Sequence, residues 1–363
     1  MDVVLAVVGV GLVIAVVDSA VRTFVLPRGV VSTLTRAVFQ GVNRAFRLVI
    51  RPMRTYEARD SAMALFAPVA LVVLVLVWMV LVIIGFALLF RAFVFPDWTD
   101  AFEMSGSSFF TLGFVRPPRG GGEWGYLLAF LEAATGLALL ALLIGYLPTI
   151  YGAFSRRELA VARLATRAGT PPSAVELLTR YHEVGWTQDL PALWAEWENW
   201  FSELGETHTT FAMLAFFRSP NPHRSWVTSA GAVLDAAALA QSTLNVPWSP
   251  QAGMCIRAGY LALRDIATLY RIGFDDDPAA DAPISIDRAE FIEAYEALGA
   301  AGVPLRPDRD RAWRDFVGWR VNYDSVLLEL ASITIAPCAP WSSDRSLSRS
   351  PQSRWRRHHR TPR

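Results

Sequence analysis

A run of 30 residues without any charge, residues 61–90, constrains the fold of this chain more than any other feature. Roughly 20 predominantly apolar residues let a helix cross the hydrocarbon core of a bilayer. Residues 3–26 and 124–154 are also long and apolar enough to cross, and the mean hydropathy of the whole chain is +0.31. The sequence therefore predicts an all-α membrane protein with three transmembrane helices, the second of them kinked near Pro68.

The arginines predict how these helices are oriented. A group of arginines lies between the first and second apolar segments, and Arg156 and Arg157 follow the third. Because cytoplasmic loops carry an excess of basic residues, both stretches are expected in the cytoplasm. We therefore expect a multi-pass protein of the plasma (inner) membrane of a bacterium, with its N-terminus outside and its C-terminus in the cytoplasm.

An amphipathic helix is predicted between the first two spans. Its apolar residues recur at three- and four-residue steps: Val31, Leu34, Val38, Val42, Phe46, Val49 and Met53. Its basic residues gather on the opposite side: Arg36, Arg44, Arg47, Arg51 and Arg54. Such a helix is expected to lie in the membrane interface, with its basic face toward anionic lipid headgroups. A voltage sensor is disfavoured, since it needs arginines at every third position within a spanning helix.

The stretch between the second and third spans is the most informative about function. A short helix is predicted from Asp100 to Phe110, followed by an extended Thr-Leu-Gly-Phe segment. Irregular backbone at membrane depth is tolerated only inside protein or along a water-filled cavity. Backbone carbonyls of such a segment can replace the water around a cation, so we expect this stretch to line a pore.

Two motifs in this stretch carry a family resemblance. Asp100-Ala101-Phe102, followed after eight residues by Thr111-Leu112-Gly113-Phe114, resembles the pore loop of tetrameric potassium channels. Residues 61–154 as a whole resemble the outer helix, pore helix, filter and inner helix of that ion-channel family. The resemblance implies a homotetramer that conducts potassium. The residues that it places in the ion pathway are Thr111, Leu112, Gly113, Phe114 and Val115. Those that it places on the pore helix and at the outer mouth are Glu103, Ser107, Ser108 and Arg116. Gly136 and Pro148 would be the gating bends.

The sequence departs from the family pattern Thr-Val-Gly-Tyr-Gly-Asp at its end. Val115 stands where the family has its second glycine, a position whose left-handed backbone is costly for a β-branched residue. Arg116 stands where the family has an aspartate, and in a tetramer it would ring the outer entrance together with Arg119. We therefore expect a shorter ion site, built from the carbonyls of Thr111, Leu112 and Gly113, and looser selectivity.

Ionisable residues inside the predicted spans call for a partner or a function. Glu132 either contacts the ion or forms a hydrogen bond with Ser105, Ser107 or Ser108, and the sequence leaves both open. Asp18 and Arg22 lie one helical turn apart and are expected to pair with each other.

The C-terminal half is predicted to be a cytoplasmic all-α domain. Its predicted helices cover residues 156–167, 191–204, 227–244, 253–272, 287–298 and 308–331. Trp194, Trp197 and Trp200 recur at three-residue steps and are interpreted as packing residues. The predicted domain boundaries are 1–27 for the first span, 28–60 for the interfacial helix, 61–154 for the pore domain, 155–341 for the helical domain and 342–363 for a disordered, arginine-rich tail.

Other chemistries find little support in the chain. No nucleophile, base and acid recur in a catalytic pattern, so we expect no enzyme activity and no cofactor. His208, His223 and Cys255 lack the spacing of metal ligands, and the three aspartates 275–277 are interpreted as a solvated turn. A formal net charge of +1 gives no indication of nucleic-acid binding.

The leading hypothesis is a homotetrameric monovalent-cation channel with altered selectivity. The alternative is a non-conducting membrane sensor or interaction protein that keeps the channel scaffold, which Val115 and Arg116 favour. A transporter of the potassium-uptake type is a third class, but it needs several copies of the span–pore–span unit and the chain has one.

Overall fold

The structure is a computed structural model that describes residues 2–26, 32–118 and 122–345. Within these ranges every regular element is a helix, apart from a single β-bridge between Leu244 and Leu305. The chain divides into two compact units. The first unit comprises Met1–Arg54 and Ala62–Gly152, and the second comprises Thr55–Ser61 and Ala153–Arg363. The predicted tail beyond residue 345 lies outside the described residues, as do Arg28, Val31 and Arg119.

The structure confirms three long apolar helices, which are compatible with the predicted membrane-protein class. They are α1 (Asp2–Phe24), α4 (Phe66–Phe93) and α6 (Gly122–Ala168), and each is long and apolar enough to cross a membrane. Much of their apolar surface is exposed in the single chain, as a lipid-facing or subunit-facing surface requires. α6 is a single helix through residue 168, where the sequence predicted a span and a separate helix.

Three shorter helices complete the first unit and its connection to the second. α2 (Thr33–Ile50) corresponds to the predicted interfacial helix, α3 (Tyr56–Ala64) is a separate helix that the sequence did not predict, and α5 (Trp98–Phe109) follows α4. Arg51 and Arg54 therefore lie beyond the end of α2, while Arg44 and Arg47 are exposed on it. Only Leu65 interrupts the helical path from α3 to α4. Pro68 explains this interruption, because its nitrogen cannot donate to the carbonyl four residues earlier.

Close glycine contact holds α1 against α4. A Cβ atom added to Gly9 would lie 2.7 Å from the carbonyl oxygen of Gly85, and one added to Gly85 would lie 3.2 Å from the carbonyl of Gly9. Small residues let two apolar helices approach this closely, which replaces the hydrophobic driving force that is missing in lipid. Farther along α1, Phe24 packs edge-on against Trp78, so the two helices run antiparallel.

A buried polar cluster joins α1, α2 and α4. The Ser19 hydroxyl lies 2.8 Å from that of Ser32 and 2.9 Å from that of Thr35, and Trp78 donates its indole N–H to Ser19 over 3.1 Å. Polar side chains that satisfy one another in this way bind helices together in an apolar environment. Asp18 and Arg22 form the predicted ion pair, at 2.7 Å.

The second unit packs its helices around α9 (Trp226–Thr243), all of whose residues are buried. The described helices around it are α7 (Ala174–Glu183), α8 (Leu190–Thr210), α10 (Pro250–Leu269), α11 (Arg288–Ala300), α12 (Arg309–Arg320) and α13 (Asp324–Thr334), with short 3₁₀ turns at Thr187–Asp189 and Ala212–Phe216. The sequence missed α7. The predicted packing role of Trp194, Trp197 and Trp200 is confirmed, because all three are buried in this core.

A buried arginine explains why the predicted helix 308–331 is two helices. Arg320 pairs with Asp235 of α9 and donates from Nε to Asp324 over 2.8 Å, and all three side chains are buried. Tyr323 donates to the same Asp235 carboxylate over 2.8 Å. The chain turns between α12 and α13, at residues 321–323. This turn lets Arg320 and Tyr323 reach the Asp235 carboxylate and lets Asp324 pair with Arg320. Removing a single partner would leave a buried charge uncompensated.

The glycine contact between α1 and α4 predicts opposite effects for two neighbouring substitutions. Gly9→Ala is expected to lower the melting temperature of the detergent-solubilised protein, since the methyl group meets the Gly85 carbonyl and overpacking costs about 1–3 kcal/mol. Gly11→Ala, which has no atom within 4 Å of the added carbon, is expected to gain about 0.5–1 kcal/mol of helix propensity. Equal effects of the two substitutions would contradict the contact.

A second prediction concerns pH. His208 is buried, accepts from Arg157 at 3.2 Å through Nε2 and lies 3.0 Å from the Leu204 carbonyl through Nδ1. Burial, together with the nearby Arg157 charge, holds its pKa well below the ordinary value of 6.5. Below about pH 6.5 the unfolded chain therefore binds a proton that the folded protein does not. The free energy of unfolding is therefore not lowered by His208 above about pH 6.5. As the pH decreases below this value, it falls by up to about 1.4 kcal/mol per pH unit.

Melting temperatures at about pH 7.5 and about pH 5.5 test this linkage. His208→Gln is expected to reduce the loss of stability at the lower pH, whatever its effect at the higher one. His223→Gln, at an exposed histidine, is the control and is expected to keep the wild-type pH dependence. An unchanged pH dependence in His208→Gln would exclude His208 as the source.

Candidate functional site

The short helix between the second and third apolar helices begins at a capped N-terminus. The Asp97 side chain accepts from the backbone N–H of Thr99 at 3.3 Å, and Asp100 lies in the first turn, where its charge favours the helix dipole. α5 then runs from Trp98 to Phe109, close to the predicted range of 100–110. Its buried face includes Ser105, Ser107 and Ser108, whereas Glu103 is exposed.

α5 ends in a Schellman turn built around Thr111. The backbone N–H of Thr111 donates to the backbone carbonyl of Ser108 over 3.0 Å, and that of Leu112 donates to the backbone carbonyl of Ser107 over 2.8 Å. These two bonds satisfy carbonyls that a helix end otherwise leaves unpaired. The turn needs a left-handed residue, and Thr111 supplies it with φ of 56°.

Backbone strain therefore falls on Thr111 and not on Val115. The left-handed residues of this segment are Thr111 and Gly113, whose φ is 72°, while Val115 has no positive φ. A β-branched residue rarely adopts this conformation, and strain of this kind clusters at functional sites. The Thr111 hydroxyl donates to the Phe110 carbonyl over 2.7 Å, which ties the side chain to the turn.

Two contacts hold the extended segment after the turn. The buried Ser107 hydroxyl accepts from the backbone N–H of Val115 at 3.3 Å. Pro117 packs so closely on the start of α6 that a Cβ atom added to Gly125 would lie 2.7 Å from it. The segment from Thr111 to Pro117 is thus tied at its middle and at its end.

The carbonyl oxygens of Thr111, Leu112 and Gly113 are free to bind a ligand. Among the described residues, no hydrogen bond reaches any of the three. The side chains around them are exposed in the single chain, 61% for Leu112 and 67% for Phe114. An exposed carbonyl can accept a hydrogen bond from water, and its partial negative charge also suits a cation.

Glu132 is fully buried on α6. Its Oε1 is 2.5 Å from the Ser105 hydroxyl of α5, which in turn lies 2.9 Å from the carbonyl oxygen of Ile83 on α4. The structure therefore forms the hydrogen bond with Ser105, one of the alternatives that the sequence left open. The other carboxylate oxygen of Glu132, Oε2, has no partner in the described part of the chain. The contact joins all three helices that surround the candidate site.

The two proposed bends in α6 are helical. Gly136 sits where an added Cβ atom would lie 2.6 Å from the Phe109 carbonyl at the end of α5, so the absence of a side chain permits close packing there. Pro148 lies inside α6, which is assigned as helix on both sides of it. A gating role for either residue stays a prediction.

Some features of the site had no clear signal in the sequence. Ser107 was predicted to lie on the pore helix, but its hydrogen bond to Val115 joins residues eight apart in irregular backbone. The Pro117–Gly125 contact joins residues on either side of a short glycine-rich stretch of sequence that shows no periodicity. Arg116 is exposed, and within the described ranges no acidic side chain pairs with it. In these same ranges no group of three metal-ligating side chains comes together.

No protein-family model, curated protein or solved structure matches this chain.

The strained turn predicts a stabilising substitution. Thr111→Gly is expected to stabilise the detergent-solubilised protein by about 1 kcal/mol, since glycine adopts the left-handed conformation without a steric cost. Leu112→Gly, one residue further and without a positive φ, is the control, and it is expected to lose about 0.5–1 kcal/mol through backbone entropy. Melting temperatures that fall in both variants would contradict the left-handed turn at Thr111.

Proposed function

We propose that the protein is a homotetrameric membrane channel for monovalent cations, with potassium as its first candidate ion. The observation that carries this proposal is the set of three unpaired carbonyls on Thr111, Leu112 and Gly113, in irregular backbone between two helices long enough to span a membrane. Four such segments around an axis would surround an ion with carbonyl oxygens. In this arrangement the chain lies in the inner membrane, with the second unit in the cytoplasm.

The exposed faces of the single chain are consistent with assembly. Apolar side chains more than 40% exposed along α6 include Leu127, Phe130, Leu131, Leu137, Leu140 and Ile144. One copy of the α4–α5–α6 unit cannot enclose a pore, so conduction requires several copies. Neighbouring copies would cover part of this apolar surface, and lipid would cover the rest.

The ion site we propose is short. The carbonyls of Ser107 and Ser108 are already bonded within the turn, so they are not available to an ion in this conformation. A site with fewer carbonyl layers holds a dehydrated cation less selectively. We therefore infer that the channel discriminates among monovalent cations less than a channel with a full filter does.

A non-conducting membrane sensor is the second candidate function. The exposed Arg116 favours it, because four unpaired guanidinium groups near one axis would repel cations. Under this proposal the α4–α5–α6 unit is only an assembly scaffold.

Flux from liposomes separates the two functions. The purified full chain is reconstituted and the efflux of potassium, sodium and a large organic cation is compared. We expect potassium and sodium to pass and the large cation not to. Arg116→Asp is expected to raise the cation flux about tenfold, because a ring of negative charge concentrates cations at the entrance.

Arg314→Asp is the control, since it makes the same charge change at an exposed arginine of the second unit, and it is expected to leave the flux unchanged. Folded tetramers that pass no ion, with or without Arg116→Asp, would exclude the channel. Chemical cross-linking that yields only monomers would also exclude it.

A further inference from the structure

Residues 214–219 of the second unit contact two helices that continue into the first unit. We call these six residues the clamp segment; it begins within the 3₁₀ turn at Ala212–Phe216 and extends three residues beyond it. On one side they contact α6, and on the other side they contact α3. All the residues involved, including Thr55–Ser61, belong to the second unit.

Arg157 and Glu158 make the contact with α6. The buried Arg157 guanidinium donates to the Leu214 carbonyl over 2.8 Å and to the Phe217 carbonyl over 2.7 Å. It also donates to Glu158 over 2.8 Å, and Glu158 accepts from the Ser219 hydroxyl. Two adjacent residues of α6 thus bind both ends of the clamp segment.

Arg218 makes the contact with α3. Its guanidinium pairs with Asp60, and the two side chains are only 10% and 9% exposed. It also donates to the Thr334 carbonyl over 2.6 Å and to the Ile335 carbonyl over 3.2 Å, at the end of α13. Tyr56, one turn before Asp60, donates to the same Ile335 carbonyl over 3.3 Å.

α3 leads directly into α4, and α6 is itself long and apolar enough to span a membrane. Residue 65 alone separates α3 from α4, and α6 is one helix from Gly122 to Ala168. The clamp segment is therefore short, but it holds the extensions of the second and third long apolar helices at the same time.

We propose that the clamp segment couples the second unit to α4 and α6 together, so that a rearrangement of the second unit acts on both helices at once. We expect the contacts of the clamp segment to be lost together, because Arg157 and Arg218 each bind backbone carbonyls and a carboxylate that belong to different elements. Loss of one partner leaves a buried charge that the remaining contacts must reorganise to accommodate. Its role as a gating link rests on the proposed channel function, while the physical coupling does not.

Hydrogen exchange of the full chain in detergent tests the physical coupling. Asp60→Asn removes the carboxylate charge on α3, and we expect about tenfold faster amide exchange in residues 214–219 and also in residues 154–161 of α6. Asp310→Asn is the control: its ion pair with Arg288 is exposed, so exchange in these peptides is expected to stay at the wild-type rate. Faster exchange confined to α3 would overturn the proposal.

The reverse perturbation must give the reciprocal result. Glu158→Gln on α6 is expected to accelerate exchange in residues 56–61 of α3, because coupling between two sites acts in both directions. If Asp60→Asn also accelerates exchange in the central helix α9, it has unfolded the unit, and Tyr56→Phe, which removes one hydroxyl, replaces it. No change in α3 with Glu158→Gln would equally overturn the proposal.

Potassium flux then tests the regulatory consequence. Asp60→Asn and Glu158→Gln are expected to change the flux in the same direction, and the double variant is expected to change it no more than either one alone. Additive effects on flux would show two independent links and overturn the common clamp. If the wild-type protein passes no ion, the proposed channel fails, and the exchange experiment alone decides the coupling.

Discussion

The cost of leaving backbone polar groups unpaired away from water governs the first unit. Its long elements are helices, which satisfy nearly all of their own amide and carbonyl groups. The chain leaves this arrangement after α5, where the Schellman turn at Thr111 pairs the last helical carbonyls. The carbonyls of Thr111, Leu112 and Gly113 have no partner among the described residues, so this exposed stretch of backbone can accept hydrogen bonds from water or bind another polar ligand.

In the second unit, arginine side chains pair with backbone carbonyls that a helix or turn leaves without a partner. Arg157, Arg218 and Arg320 are each largely buried, and each donates both to a carboxylate and to backbone carbonyls where the chain leaves a helix or a turn. The planar guanidinium suits this task, since its five donors can reach several acceptors at once. The second unit is therefore held together by arginines that bind the ends of elements, in addition to its apolar core.

Local patterns explain which features the sequence predicted. Apolar length located the three long helices, and a four-residue spacing predicted the Asp18–Arg22 pair. The short helix α5 also lay close to its predicted range. In each case the residues that determine the structure are near one another in the chain, so periodicity and spacing are sufficient.

Periodicity and spacing did not predict the contacts between segments that are far apart in the chain. Asp60 and Arg218 are 158 residues apart, and neither has a neighbour that marks it as half of a buried pair. Gly9 and Gly11 look alike in the sequence, yet only Gly9 meets another helix. The family pattern called attention to Val115 as a costly position for a left-handed backbone, but it gave no indication of the left-handed turn that the hydrogen bonds at the end of α5 form at Thr111.

The burial of α9 on all sides has a consequence for synthesis of the chain. Asp235 lies near the middle of this alanine-rich helix, and its partner Arg320 follows 85 residues later. A nascent chain that has reached α9 therefore carries a carboxylate with no guanidinium to neutralise it. Placing an aspartate at the centre of a membrane helix costs about 2.5–3.5 kcal/mol on insertion scales. The same residue that anchors the finished core thus opposes insertion of α9 into the bilayer while the ribosome is still completing the chain.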